Sequence, residues 1–210
     1  MKTVLCYGDS NTYGFNPNNG LRFHSSIRWT GRLQKLLGQD YKVIEEGCNG
    51  RTTVFDDPFE PWKNGLLYLR PCLNSHKPVD IVVLMLGTND LKNCFHVSAR
   101  EIADGAGQLV DVICKFTCEK QGFEPKIILV SPTEIGEGIK SSPFGDSFHE
   151  NAIEASRAFP EYYKKIADEK GCIFIDASEH AKPSKEDSLH LSSEGHEALA
   201  HAIYNAIKRI

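Results

Sequence analysis

Asp80-Ile81-Val82-Val83-Leu84-Met85-Leu86-Gly87-Thr88-Asn89-Asp90 is the stretch on which the fold turns. From Ile81 to Leu86 every residue is apolar, with no polar alternation. A half-exposed strand would alternate, so a run of this kind predicts a strand covered on both faces, as in a parallel sheet flanked by helices. The run stops at Gly87 and passes directly into polar residues.

The same unit recurs outward in both directions. Lys2 to Tyr7 is a short apolar run ending in Gly8, and Tyr41 to Ile44 is another, ending before Glu45-Glu46-Gly47. Beyond the central run come Lys126 to Val130, stopped by Ser131-Pro132, and Cys172 to Ile175. Helical spacing separates them. Trp29, Leu33, Leu36 and Leu37 share one face, Leu66 to Leu73 reads as a helix, and Ile102, Leu109, Ile113 and Phe116 mark a long one. Gly105 and Gly107 within the long helix predict close packing against the sheet. Asn151 to Lys170 is helical, with Pro160 either kinking it or opening a second piece. Glu194 to Lys208 closes the chain as a helix capped by Ser192 or Ser193. Strands alternating with helices predict an α/β fold with a five-stranded parallel sheet, in one domain over residues 1–210.

Bulk properties narrow the function classes. The 210 residues are 40% hydrophobic and 25% charged, with a net charge of −4. That is the composition of a soluble globular protein, and it lacks the basic runs of a nucleic-acid binder. No apolar run approaches the ~20 residues that span a bilayer. The N-terminal apolar run is too short for a secretory leader, so a cytoplasmic location is expected. Seven scattered cysteines, Cys6, Cys48, Cys72, Cys94, Cys114, Cys118 and Cys172, read as reduced, buried thiols rather than a disulfide frame. Cys114 and Cys118 are four apart, but no ligand cluster with zinc-like spacing accompanies them.

In parallel sheets, ligands sit beyond the carboxyl ends of the strands. The loops at that edge carry Gly8-Asp9-Ser10, Gly47–Arg51, Gly87–Asp90 and Asp187–His190. Ser10 follows the first strand, where its hydroxyl is exposed to a ligand. On the Gly-Asp-Ser triplet alone, a turn or cap is the plainer reading. A second triplet, Gly145-Asp146-Ser147, follows Pro143-Phe144 in a loop and reads as a turn or an N-cap. A serine becomes nucleophilic when a base takes its proton. His190 is placed to act as that base, with Asp187 near enough to fix its tautomer. His180, His196 and His201 compete, the last two as helix-surface or packing residues. Asn89 offers a side-chain donor and Gly50 a backbone N–H for a developing oxyanion. Asp90 is read as starting a helix, and Arg51 as a structural ion-pair partner ahead of an alternative role binding an anionic group. No Gly-x-Ser-x-Gly elbow surrounds Ser10, since Thr12 stands at the last position.

Taken in order, Gly8-Asp9-Ser10, Gly50, Gly87-Thr88-Asn89-Asp90 and Asp187-Ser188-Leu189-His190 resemble the four blocks of the SGNH (GDSL) hydrolase family. The resemblance implies a flavodoxin-like three-layer sandwich with strand order 2-1-3-4-5, no metal or cofactor, and ester or thioester hydrolysis. It implies a triad of Ser10, Asp187 and His190, and an oxyanion hole of Ser10, Gly50 and Asn89. A narrower likeness lies in Arg28-Trp29-Thr30-Gly31, Val43–Gly47, Arg51-Thr52-Thr53 with Asp56-Asp57-Pro58, and Met85–Asp90. These are similar to bacterial arylesterases with acyltransferase activity, which implies small-molecule esters with short acyl groups, no nucleic acid or membrane partner, and a homo-oligomer. Phe15, Phe23, Trp29, Phe55, Phe59 and Trp62 lie in or beside the loops and are expected to crowd the acyl pocket. A carbohydrate O-deacetylase would use the same residues. A non-catalytic ligand-binding member of the fold would not need all of them.

Overall fold

The apolar run becomes the central strand β3 (Ile81–Met85), and every residue of it is buried. It is flanked by β1 (Lys2–Gly8) and β4 (Lys126–Ser131), with β2 (Tyr41–Gly47) and β5 (Ile173–Asp176) at the edges. All neighbours are parallel, in the order β2-β1-β3-β4-β5. This is a computed structural model and it describes residues 1–148 and 151–210.

The helices are α1 (Ser10–Tyr13), α2 (Trp29–Leu37), α3 (Gly65–His76), α4 (Ala99–Gln121), α5 (Asn151–Arg157), α6 (Phe159–Lys170) and α7 (Ser193–Ile207). Successive side chains of a strand point to opposite faces, and the central strands therefore feed two cores. Leu5, Tyr7, Val82 and Leu84 join residues of α3, α4 and α6 on one side. Val4, Cys6, Ile81, Val83 and Met85 join α2 and α7 on the other. Burying each such side chain contributes about 1.5–3 kcal/mol, which is why the run carries no polar residue. The result is a three-layer α/β sandwich with the expected strand order.

Several local expectations change. β2 continues through Glu45, Glu46 and Gly47 rather than ending before them. As an edge strand it is only half-buried, so its carboxylates reach partners: Glu45 pairs with Arg22 and Arg28, and Glu46 with His76. Pro160 opens a second helix, in the first turn of α6. Gly105 and Gly107 do allow close packing, but not against the sheet. A Cβ on Gly105 would lie 2.7 Å from Thr53 Oγ1, and one on Gly107 would meet Lys170 and Ile166 of α6. The cysteines are free, but Cys94 and Cys118 are exposed rather than buried. Ser192 is the cap of α7, accepting from the Gly195 N–H. No helix among the described residues is long and apolar enough to cross a membrane.

Candidate active site

Every loop singled out in the sequence leaves the carboxyl edge of the sheet. β1 ends at Gly8, and Asp9 caps the short α1 by accepting the Asn11 N–H at 3.0 Å. The chain turns so tightly here that a Cβ on Gly8 would lie 2.1 Å from Thr12 Oγ1 and 2.7 Å from the Met85 carbonyl. Only glycine permits that approach, and it sets Ser10 at the first position of the helix. Burial pushes the Asp9 carboxyl up to about 6, against the pull of the Asn11 N–H and the nearby His190.

The Ser10 Oγ lies 2.9 Å from His190 Nε2, and His190 Nδ1 lies 2.6 Å from Asp187 Oδ2. The other Asp187 oxygen accepts from the Ser184 hydroxyl at 3.0 Å and from the Leu189 and His190 N–H groups at 3.0 and 2.9 Å. Burial opposes the charge of Asp187, yet the His190 ring and these backbone donors hold its carboxyl below the ordinary value. Ser188 sits between the two at φ 58°, a left-handed conformation that costs a non-glycine residue energy. The turn is held from outside as well, because Asn11 Oδ1 accepts the Leu191 N–H at 3.0 Å. The residue after Ser10 thus ties down the residue after His190.

Two further loops face Ser10. Gly50 has φ 79°, where side chains are disfavoured, and a Cβ there would also strike the Lys63 side chain. Among the described residues the N–H groups of Ser10 and Gly50 have no backbone acceptor. Asn89 donates one amide hydrogen to the Arg51 carbonyl at 3.1 Å, which leaves the second for the pocket. Asp90 does not start a helix as expected but sits inside the short turn Thr88–Leu91. Its buried carboxyl takes the Thr53 N–H and hydroxyl, locking the Gly50 loop to the Asn89 loop. Burial pushes that carboxyl up to about 7, with the Thr53 donors pulling it back. Arg51 makes no ion pair among the described residues. Its guanidinium donates to the Gly8 and Glu46 carbonyls and lies 4.2 Å from the Tyr7 ring centre.

Ser10, Gly50, Asn89 and His190 line one pocket of about 270 Å³, closed by Phe15, Phe144 and Phe148 and bordered by Asn49, Lys63 and Lys92. Phe15 is tilted over the His190 ring at 4.2 Å between centres, and Phe144 meets it edge-on at 5.3 Å. Of the six aromatics expected there, Phe15 alone lines it. Phe23 packs on His196, Trp29 is in the core, Phe55 faces Phe95, and Phe59 and Trp62 are exposed. Phe144 and Phe148 carry no local signal for this place, because they lie far along the chain, in an irregular loop.

The rival histidines fall elsewhere. His196 is wholly buried, its Nδ1 accepts the Trp29 N–H at 3.2 Å, and burial lowers its pKa to about 3. It serves as a cap for α2, whose own N-cap residue supplies no side chain. His180 and His201 are exposed. Gly145–Ser147 forms a single turn that sets Ser147 on the wall of the same pocket, but Ser147 has no histidine bonded to it among the described residues.

Comparison with known proteins places this geometry. A search of curated proteins finds no match. Among solved structures, the carbohydrate acetylesterase Est24 from Sinorhizobium meliloti is 36% identical, with a TM-score of 0.93 over 100% of this chain and 99% of its own. The native aryl esterase of M. smegmatis is 33% identical, also with a TM-score of 0.93, over 100% and 99%. The GDSL-like lipase/acylhydrolase family matches residues 6–198. With nine-tenths of its length so matched, the chain belongs to the GDSL-like lipase/acylhydrolase family and is a carboxylic ester hydrolase.

Proposed function

We propose that one domain, residues 1–210, hydrolyses short-chain acyl and aryl esters through an acyl-enzyme on Ser10, and transfers the acyl group to alcohols as well as water. The unbroken chain of hydrogen bonds from Ser10 through His190 to Asp187 carries the reading. His190 takes the Ser10 proton at Nε2 as Oγ attacks the ester carbonyl, and the imidazolium so formed is held by the Asp187 carboxylate. Charge moves to the carbonyl oxygen, which the Ser10 and Gly50 N–H groups and the Asn89 amide receive. His190 returns the proton to the leaving alkoxide. Water or an alcohol then gives its proton to His190 and attacks the acyl-enzyme, and Ser10 is regenerated.

The pocket supports short acyl groups, because about 270 Å³ falls below the ~300–1,000 Å³ of common ligand sites. Phe15 and Phe144 against His190 support transfer by limiting water at the acyl-enzyme. The polar border of Asn49, Lys63 and Lys92 favours a second reading, removal of acetyl groups from a hydroxylated carrier such as a carbohydrate. The S. meliloti relative carries that activity in its name. Exposed Phe59, Trp62 and Leu67, close together in the chain, support a homo-oligomer. The free cysteines support a reducing, cytoplasmic location.

A fluorophosphonate probe tests the centre of this proposal. Wild-type protein is expected to be labelled once, on Ser10, and to lose p-nitrophenyl acetate hydrolysis in parallel. Ser10→Ala and His190→Ala should each fold and each lose ~10⁴-fold or more in kcat, since such residues act as a unit. Full activity in either folded variant would overturn the assignment.

A further inference from the structure

Outside the residues that line the pocket, a carboxylate, a thiol and an imidazole converge. Glu46 comes from β2, and Cys72 and His76 come from α3. Spaced four apart, the latter two share one helix face. The ligand atoms of all three lie within 4.8 Å of one another, and His76 Nε2 is 2.7 Å from Glu46 Oε1. Cys72 is fully buried, whereas the His76 and Glu46 side chains keep 28% and 19% of their exposure. Among the described residues the Cys72 thiol has no hydrogen-bond partner.

We propose that Glu46, Cys72 and His76 bind a thiophilic divalent cation, Zn²⁺ above all, at a site separate from the active centre.

The donor set is selective. One sulfur, one nitrogen and one oxygen suit zinc, while Mg²⁺ and Ca²⁺ require oxygen shells. The geometry is close to what zinc needs. Bonds of ~2.0–2.1 Å to nitrogen and oxygen and ~2.3 Å to sulfur place tetrahedral donors about 3.3–3.6 Å apart. The Glu46–His76 pair must open slightly and the widest pair must close by about 1 Å, which needs only side-chain rotation at two half-exposed residues. On binding, the Cys72 thiol releases its proton to solvent as the sulfur–metal bond forms. His76 Nε2, which donates its hydrogen to Glu46 without the ion, gives that proton to solvent, keeps the ring hydrogen on Nδ1, and turns the freed lone pair to the ion. Thiolate and carboxylate together balance the cation's charge. Three protein ligands leave the fourth position to water, on the half-exposed side.

The surroundings give such an ion a mechanical role. The Glu46 carbonyl accepts from Arg51, which also holds the Gly8 carbonyl and lies 5.4 Å from the Tyr68 ring centre. An ion bridging Glu46 to α3 therefore pins the end of β2 to α3, just before the chain enters the loop that carries Gly50. The reaction on Ser10 does not draw on it.

Cobalt supplies the test. Protein stripped of metal by chelation and dialysis is titrated with Co²⁺, then with Zn²⁺. A thiolate-to-cobalt charge-transfer band should saturate at one Co²⁺ per chain and be bleached by Zn²⁺. The band should vanish in Cys72→Ala, although six other cysteines remain. His76→Gln, at a half-exposed position, should weaken cobalt binding by about tenfold or more. Zn²⁺ should raise the Tm of wild-type protein and not that of His76→Gln. Absence of the band, or a band that neither substitution alters, would overturn the site and leave Glu46–His76 as a plain ion pair. Should Cys72→Ala fail to fold, His76→Gln and Glu46→Gln decide between those outcomes.

Discussion

At the scale of single residues, the candidate site depends on donors that are fixed before any ester arrives. Asn89 illustrates the point. One amide hydrogen is spent on the Arg51 carbonyl, which fixes the plane of the side chain and aims the other hydrogen. Asn89→Ala is expected to lower kcat by ~10²–10³-fold with little change in KM, because the bond matters only once the oxygen carries charge. Steady-state rates on p-nitrophenyl acetate measure it. A rise in KM at constant kcat would assign Asn89 to ground-state binding instead.

At the scale of elements, the site is held by contacts between loops and helix ends rather than by the sheet alone. His196 links α7 to the first turn of α2, the helix that follows the Phe15–Arg28 loop. Its folded pKa of about 3 lies below the ordinary 6.5. Between these values the unfolded chain binds a proton that the folded chain does not, so stability falls as pH drops through that window. The slope approaches about 1.4 kcal/mol per pH unit. Asp9 and Asp90, raised to about 6 and 7, act in the opposite sense and mask the effect in wild-type protein alone. His196→Asn should cost ~1–3 kcal/mol at pH 7 through the lost bond and packing. The difference between variant and wild type should narrow as pH falls from 7 to 4. Urea denaturation at three pH values reads it out, and a constant difference would remove His196 from the acid response.

At the scale of the whole molecule, the pocket gathers residues from Ser10 to His190, so substrate choice belongs to the assembled loops. Across p-nitrophenyl esters from acetate to decanoate, kcat/KM should be greatest between acetate and butyrate. A maximum at octanoate or longer would refute the narrow pocket. Vinyl acetate with benzyl alcohol in buffer should yield benzyl acetate, and hydrolysis alone would refute transfer. Trp62 is exposed, and in the proposed homo-oligomer it is expected to be buried between subunits. Trp62→Glu should lower the mass measured by light scattering after size exclusion. An unchanged oligomer, or a wild-type monomer, would exclude this surface.

The apolar run Ile81–Leu86 and its counterparts determined the parallel sheet, because a strand buried on both faces has no freedom to carry polar residues. The motifs after those strands marked the loops that meet at one edge, because strand direction alone puts them there. The sequence marked Gly8 as the end of a strand and Gly50 as a turn glycine or donor, while the close approach at Gly8 and the positive φ at Gly50 came only from the fold. Side-chain partnership was decided only in three dimensions. Phe144 reaches His190 across 46 residues, and Asp90 holds Thr53 across 37. His196 became a cap because α7 folds back onto α2, and nothing in its local spacing distinguishes it from a surface histidine. Glu46, Cys72 and His76 likewise met only when edge strand β2 lay beside α3. Local sequence carries periodicity and backbone preference, while contacts between distant side chains exist only after the two cores have closed.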